Sequence, residues 1–133
     1  MVKAVGPLDV ATQVEAKSIC ACAANLRPFT PAHLRLTRDP DGTVRLAWSR
    51  RSRIGSGWPD GSDTPLGEAN EEYLVTVTPA SGPVQTYTTT AEALTLNVAQ
   101  QTAQTGAPIA SGRVSIAQVS ALAGPGAAAS VDF

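Results

Sequence analysis

The chain has little of what enzymes and nucleic-acid binders are built from. Among its 133 residues stand one histidine and two cysteines, and aromatic side chains make up 5%. A nucleophilic serine or cysteine needs a base beside it, and His33 sits after Pro31-Ala32 with no serine or cysteine motif around it. Cys20 and Cys22 form a lone C-x-C that lacks the further ligands of a metal site. Both cysteines fall on one face of an extended run, where they read as small apolar side chains rather than a disulfide. Ten Lys plus Arg against eleven Asp plus Glu give a net charge of −1, so no overall field draws nucleic acid or an anionic membrane. No run approaches the roughly 18 apolar residues that span a bilayer. Met1-Val2-Lys3-Ala4-Val5-Gly6 lacks the apolar centre of a signal peptide, so the chain is expected to be soluble and not exported by a signal of its own.

Further absences exclude further chemistry. No glycine-rich phosphate loop and no nucleic-acid module is present. Asp39-Pro40-Asp41-Gly42 has only part of a calcium loop. Asp60 with Asp63, and Glu71 with Glu72, read as solvated turn carboxylates rather than a glycosidase pair. The chain is therefore expected to be no enzyme and to hold no cofactor and no metal.

What is present is a succession of short alternating runs. The length suits one domain with a core of its own, and hydrophobic residues make up 43% of it, mainly Ala, Val and Leu. Such a core is thin and built from small side chains. Val14 to Cys22 alternates and is expected to form an N-terminal strand. Arg27-Pro28-Phe29-Thr30-Pro31 then places two prolines where no ladder can continue, which predicts a linker. The expected division is 1–31, an N-terminal extended segment and proline-rich linker, and 32–133, a folded domain.

From His33 onward the signals come at sandwich spacing. Leu34 and Leu36, then Val44, Leu46 and Trp48, flank the turn Asp39-Pro40-Asp41-Gly42 and predict a hairpin. Tyr73, Val75 and Val77 share the inward face of a third strand. Val84 to Thr90 suits a short polar strand, and Leu94, Leu96 and Val98 mark the next. Ala99 to Gln104 predicts a helical turn closed by Gly106. Val114 and Ile116 begin another strand, Gly124-Pro125-Gly126 is expected to turn it, and Ala129, Val131 and Phe133 form the last. About seven strands over some 100 residues predict an all-β antiparallel sandwich of the immunoglobulin type. Its core is expected to hold Leu46, Trp48, Tyr73, Val75, Leu96 and Ile116.

Charge concentrates between the second and third strands. Arg50, Arg51 and Arg53 would repel one another without an anion close by, and Glu68, Glu71 and Glu72 are the expected partners across the strands. The other reading gives the arginines to an anionic partner. Trp58, in Gly55-Ser56-Gly57-Trp58-Pro59-Asp60-Gly61, either folds back over the arginines or offers an exposed stacking face to a sugar or protein. Trp58, Arg53, Arg51 and Arg50 are the candidate contact residues.

These residues carry a family likeness. Trp48, Tyr73, Leu96 and Val119-Ser120-Ala121-Leu122-Ala123-Gly124-Pro125-Gly126 resemble the fibronectin type III pattern, without its usual tyrosine on the sixth strand, where this chain starts with Val114. A narrower likeness runs through Pro31-Ala32-His33-Leu34, Trp48-Ser49-Arg50-Arg51-Ser52-Arg53, Trp58, Pro65-Leu66-Gly67-Glu68, Glu72-Tyr73, Ala99-Gln100-Gln101 and Val119-Ser120-Ala121. In that order they resemble the C-terminal fibronectin-like domain of the tail-tip hub protein of gene transfer agents and related siphophages. Val2-Lys3-Ala4-Val5-Gly6-Pro7 is similar to the end of the domain that precedes it there. The resemblance implies a structural and adhesion role at a virion tail tip, in a protein made in the host cytoplasm. It implies neighbouring tail-tip or baseplate proteins as partners, a host-surface polysaccharide or receptor, and threefold assembly through a parent hub. It implies no nucleic acid and no membrane insertion. A module binding capsular polysaccharide, and an adaptor domain of a cell, are the alternative readings.

Overall fold

A computed structural model describes residues 2–18, 24–55 and 63–133. Two antiparallel sheets face each other. The smaller has the order β1-β2-β5, from Ala32–Arg38, Val44–Ser49 and Ala93–Leu96. The larger runs β4-β3-β6, from Gln85–Thr89, Tyr73–Pro79 and Gly112–Ser120. Strand β6 is long enough to pair with two short strands along its outer side, β7 (Gly124–Pro125) and β8 (Ala129–Asp132).

Alternation decides the faces. Val44, Leu46 and Trp48 on β2 and Tyr73, Val75 and Val77 on β3 are all buried, while Arg45 and Ala47 between the first three are exposed. Leu96, Ile109, Val114 and Ile116 complete the cluster, each large side chain contributing roughly 1.5–3 kcal/mol by leaving water. Trp48 and Tyr73 meet edge to face, with ring centroids 5.2 Å apart and planes at 72°, and so join the two sheets.

The crossover from β5 to β6 is a helix, α1 (Val98–Thr105). Val98 opens this helix instead of extending β5, because Asn97 caps it. The Asn97 side chain accepts from the Gln100 amide at 2.8 Å, and the Gln100 side chain accepts from the Asn97 amide at 3.1 Å. Gly106, at φ 82°, closes α1 in the left-handed region that glycine adopts without strain.

Three expectations are corrected. In the described part of Val14 to Cys22, Lys17 alone makes a bridge, to Val2, and the chain turns at 11–13. A ladder needs a neighbour of matching length, and this run has none among the described residues. Cys20 and Cys22 lie outside the described residues. The turn after β6 falls at 121–123, so Gly124-Pro125 already pairs back with Val119-Ser120. Gly124–Pro125 thus counts as a strand of its own, giving eight strands among the described residues where about seven were expected, while the last strand stands at Ala129–Asp132 as expected. Just after β7, the Gly126 amide donates to the Gln118 carbonyl at 2.9 Å. A Cβ at Gly126 would collide with the carbonyl oxygen of Pro28. Pro28 and Pro31 are buried, so the end of the expected linker lies against the sandwich.

The strand directions define two ends. One, the helix end, carries α1, the β1–β2 and β3–β4 turns and Phe133. The other, the connector end, carries the β2–β3 connector, the turns that follow β4 and β6, and the approach to β1.

Candidate functional site

The connector end gathers the arginines, and each is held differently. Arg53 belongs to the most enclosed ion pair. Its Nη2 and Nε donate to Glu68 Oε1 at 2.6 and 3.1 Å, and Nη1 donates to the Asn25 carbonyl at 3.0 Å. The two side chains are only 17% and 7% exposed, so this pair is a structural clasp between the connector and the approach to β1. Arg50 Nη2 donates to Asp63 Oδ2 at 2.5 Å and to the Thr64 carbonyl at 2.8 Å, and its Nε lies 3.7 Å from Glu92 Oε1. Arg51 is exposed, and among the described residues no carboxylate pairs with it. Its guanidinium sits over the Phe29 ring, 5.2 Å from the centroid.

The expected pairing with Glu68, Glu71 and Glu72 is thus right at Glu68 and corrected at the other two. Glu71 Oε1 accepts from the Tyr73 hydroxyl at 2.8 Å, and Glu72 lends its carbonyl to the Val119 amide at 2.8 Å. The reason is topological. The arginines follow β2 in the smaller sheet, whereas Glu71 and Glu72 lead into β3 of the larger one. The strand beside β2 is β5, and the Trp48 amide donates to the Glu92 carbonyl at 3.0 Å, which brings Glu92 close to Arg50. Burial, then the bond to Glu71, raises the Tyr73 hydroxyl well above its ordinary pKa of 10.0.

Between these groups lies an open recess of about 420 Å³, lined by Phe29, Arg50, Arg51, Ser52, Asp63 and Thr64. It offers one aromatic edge, two guanidinium groups and two hydroxyls, with Asp63 at the rim, 87% exposed. Such a set can take a hydroxyl-rich or acidic group by hydrogen bonds and charge while stacking against the Phe29–Arg51 pair. Leu122, at the tip of the β6–β7 turn, is 87% exposed at the same end, and Ile54 and Leu26 are exposed as well. Three buried polar atoms, Trp48 Nε1, Arg50 Nη1 and Gln118 Oε1, have no hydrogen-bond partner among the described residues. All three lie where β2 and β6 reach the connector end.

Trp58 lies outside the described residues. Trp48, Tyr73, Leu46, Val75, Leu96 and Ile116 are buried. His33 is exposed at a bulge in β1, with φ 52°. Sequence reasoning missed Phe29, Asp63 and Glu92 as partners of the arginines. Phe29 was hidden between two prolines, and Glu92 becomes a neighbour only once β5 is paired with β2. Among the described residues no three His, Cys, Asp or Glu side chains cluster closely enough to hold a metal ion, and no helix is long and apolar enough to cross a membrane.

No protein-family model matches the chain, and no curated protein matches it in sequence. Solved structures do match it in shape. The fibronectin type III domain of human collagen alpha-1(XX) superposes with a TM-score of 0.52 at 18% identity, over 89% of this chain and 90% of that one. The fibronectin type III domain from human KIAA0970 protein gives 0.54 at 16% identity, over 90% and 85%. Domains d3–d4 of the extracellular region of rat CD45 give 0.55 at 8% identity over 80% of this chain, which spans about half, 49%, of that fragment. The chain therefore has the antiparallel sandwich fold of fibronectin type III and immunoglobulin-like domains.

Proposed function

We propose that the chain is a non-enzymatic structural and adhesion domain of a phage-like tail tip, with residues 32–133 as the sandwich and residues 1–31 leading in from a preceding domain of a hub. The fold fits such a module. The observation that carries the adhesion role is the recess at the connector end, where Arg51 rests on Phe29 without a carboxylate partner among the described residues. The tail-tip setting rests on the ordered motifs from Trp48-Ser49-Arg50-Arg51-Ser52-Arg53 to Val119-Ser120-Ala121. Its partners would be neighbouring tail-tip or baseplate proteins and a host-surface polysaccharide or receptor. Antibody labelling of purified particles tests the setting: label at the distal end of the tail is expected, and particles without the chain would refute it.

A second reading, a module that recognises capsular polysaccharide, is favoured by the polar lining of the same recess. Titration with acidic and neutral polysaccharides separates the two. Binding that needs both Phe29 and Arg51, in a chain absent from particles, would favour the second reading.

A further inference from the structure

We propose that β4 is a self-pairing edge, through which two copies of this chain join antiparallel about a two-fold axis. An open sheet edge is a template for another strand, and folded proteins blunt such edges with charge, proline, bulges or brevity. Among the described residues, four of the five edges are blunted. Strand β1 carries a register break between Ala32 and Arg35, and the exposed Arg35 and Arg38 give it charge. Strand β5 has only four residues and follows Glu92. Strand β7 has two residues, one of them Pro125. Strand β8 has four residues and ends at Asp132, which pairs with Arg113 at 2.7 Å.

Strand β4 has none of these devices. It keeps unbroken register with β3 from Tyr73↔Thr89 to Val77↔Gln85. No residue between Glu72 and Glu92 is charged. Threonine and tyrosine give β4 high strand propensity. Its half-buried side chains are anchored: the Tyr87 hydroxyl bonds the Gln104 side chain of α1, and Gln85 Nε2 donates to the Gln104 carbonyl at 3.3 Å. Thr86 and Thr88 stand exposed on the other face. Among the described residues no backbone group outside β3 bonds to the backbone of β4.

The occupant follows from the sequence of the strand. A two-fold axis makes two identical edges antiparallel without further adjustment. Centred on Tyr87, the pairing sets Thr86 opposite Thr88 and Gln85 opposite Thr89. Every pair is uncharged, and threonine pairs are favourable neighbours across strands. This register also keeps each residue on its own face of a continuous sheet. The pairing is independent of the tail-tip reading and of any threefold hub.

Sedimentation velocity on the whole chain, over a concentration series, tests it. The wild type is expected to show a concentration-dependent dimer. T86K/T88K, which sets lysines opposite lysines, should be monomeric with an unchanged circular dichroism spectrum, and T88K alone should weaken the dimer at least tenfold. Mixing T86K/T88K with T86E/T88E should restore a dimer, because that register sets each lysine opposite a glutamate. A wild type still monomeric at about 1 mM overturns the proposal, whether or not β4 takes an extended strand from another protein. A dimer retained by T86K/T88K, or a mixture that stays monomeric, overturns it as well.

Discussion

The two ends of this sandwich close the same core with different chemistry. At the helix end the buried Gln101 side chain donates to the carbonyls of Gly42 and Leu96 at 3.1 and 2.8 Å and accepts from the Ile109 amide at 3.1 Å. One amide thus ties the start of β2, the end of β5 and the approach to β6. Arg38 adds a bond to the Ile109 carbonyl at 2.5 Å and lies over Phe133, 5.6 Å from the ring centroid. At the connector end the closure among the described residues is ionic. Arg53 and Glu68 form one enclosed pair and Arg50 shares exposed carboxylates; among the described residues Arg51 has only an aromatic face, and three buried polar atoms go without partners. A side chain that satisfies backbone groups from three elements fixes geometry, while exposed ion pairs contribute little and can exchange partners. The difference assigns stability to the helix end and is the ground for proposing contact at the connector end.

The largest expected effect breaks the helix end. Gln101→Leu leaves a buried carbonyl, a half-buried carbonyl and a buried amide without their partner, and should cost roughly 3 kcal/mol in urea unfolding. It should leave any binding at the recess intact in the folded fraction. Gly126→Ala comes next. Its methyl group would meet the Pro28 carbonyl, and the expected cost is about 2 kcal/mol by the same measurement. A neutral result would mean that Pro28 does not rest against the sandwich.

Much of the helix end was legible in the sequence, though not its central residue. Gly106 announced the end of α1, and Asn97 with Gln100 three residues on carries the capping-box spacing that moves its start to Val98. Nothing local distinguishes Gln101 from Gln100 or Gln104, since its role comes from which strands the fold brings around it. Where the fibronectin pattern has a tyrosine on the sixth strand, this chain uses an amide from the crossover helix to secure the crossover. The connector end was less legible. Alternation placed Leu46, Trp48, Tyr73 and Val75, because a period of two reports faces. It does not report which strand lies beside which, so Glu71 and Glu72 were matched to arginines of the other sheet.

Smaller effects sharpen the contrast. Glu68→Gln removes the charge that faces Arg53 in its enclosed setting, and should cost about 1–2 kcal/mol, read from the shift in unfolding midpoint. Tyr73→Phe loses the bond to Glu71, at about 1 kcal/mol. It should also change the alkaline limb. Folding raises the Tyr73 pKa by favouring the neutral hydroxyl, so its contribution is whole below the ordinary value of 10.0 and is lost as pH rises above it. Unfolding midpoints compared between about pH 9 and pH 11 should fall more steeply in the wild type than in Tyr73→Phe.

The most direct test of the contrast is the smallest in stability. The double variant F29A/R51A should be measured for urea unfolding and for its power, as a purified domain, to compete with particles for adsorption to host cells. The account predicts stability within about 0.5 kcal/mol of wild type, because both side chains are exposed, together with loss of competition. Full competition by F29A/R51A, from a wild-type domain that itself competes, would contradict the assignment of contact to the connector end.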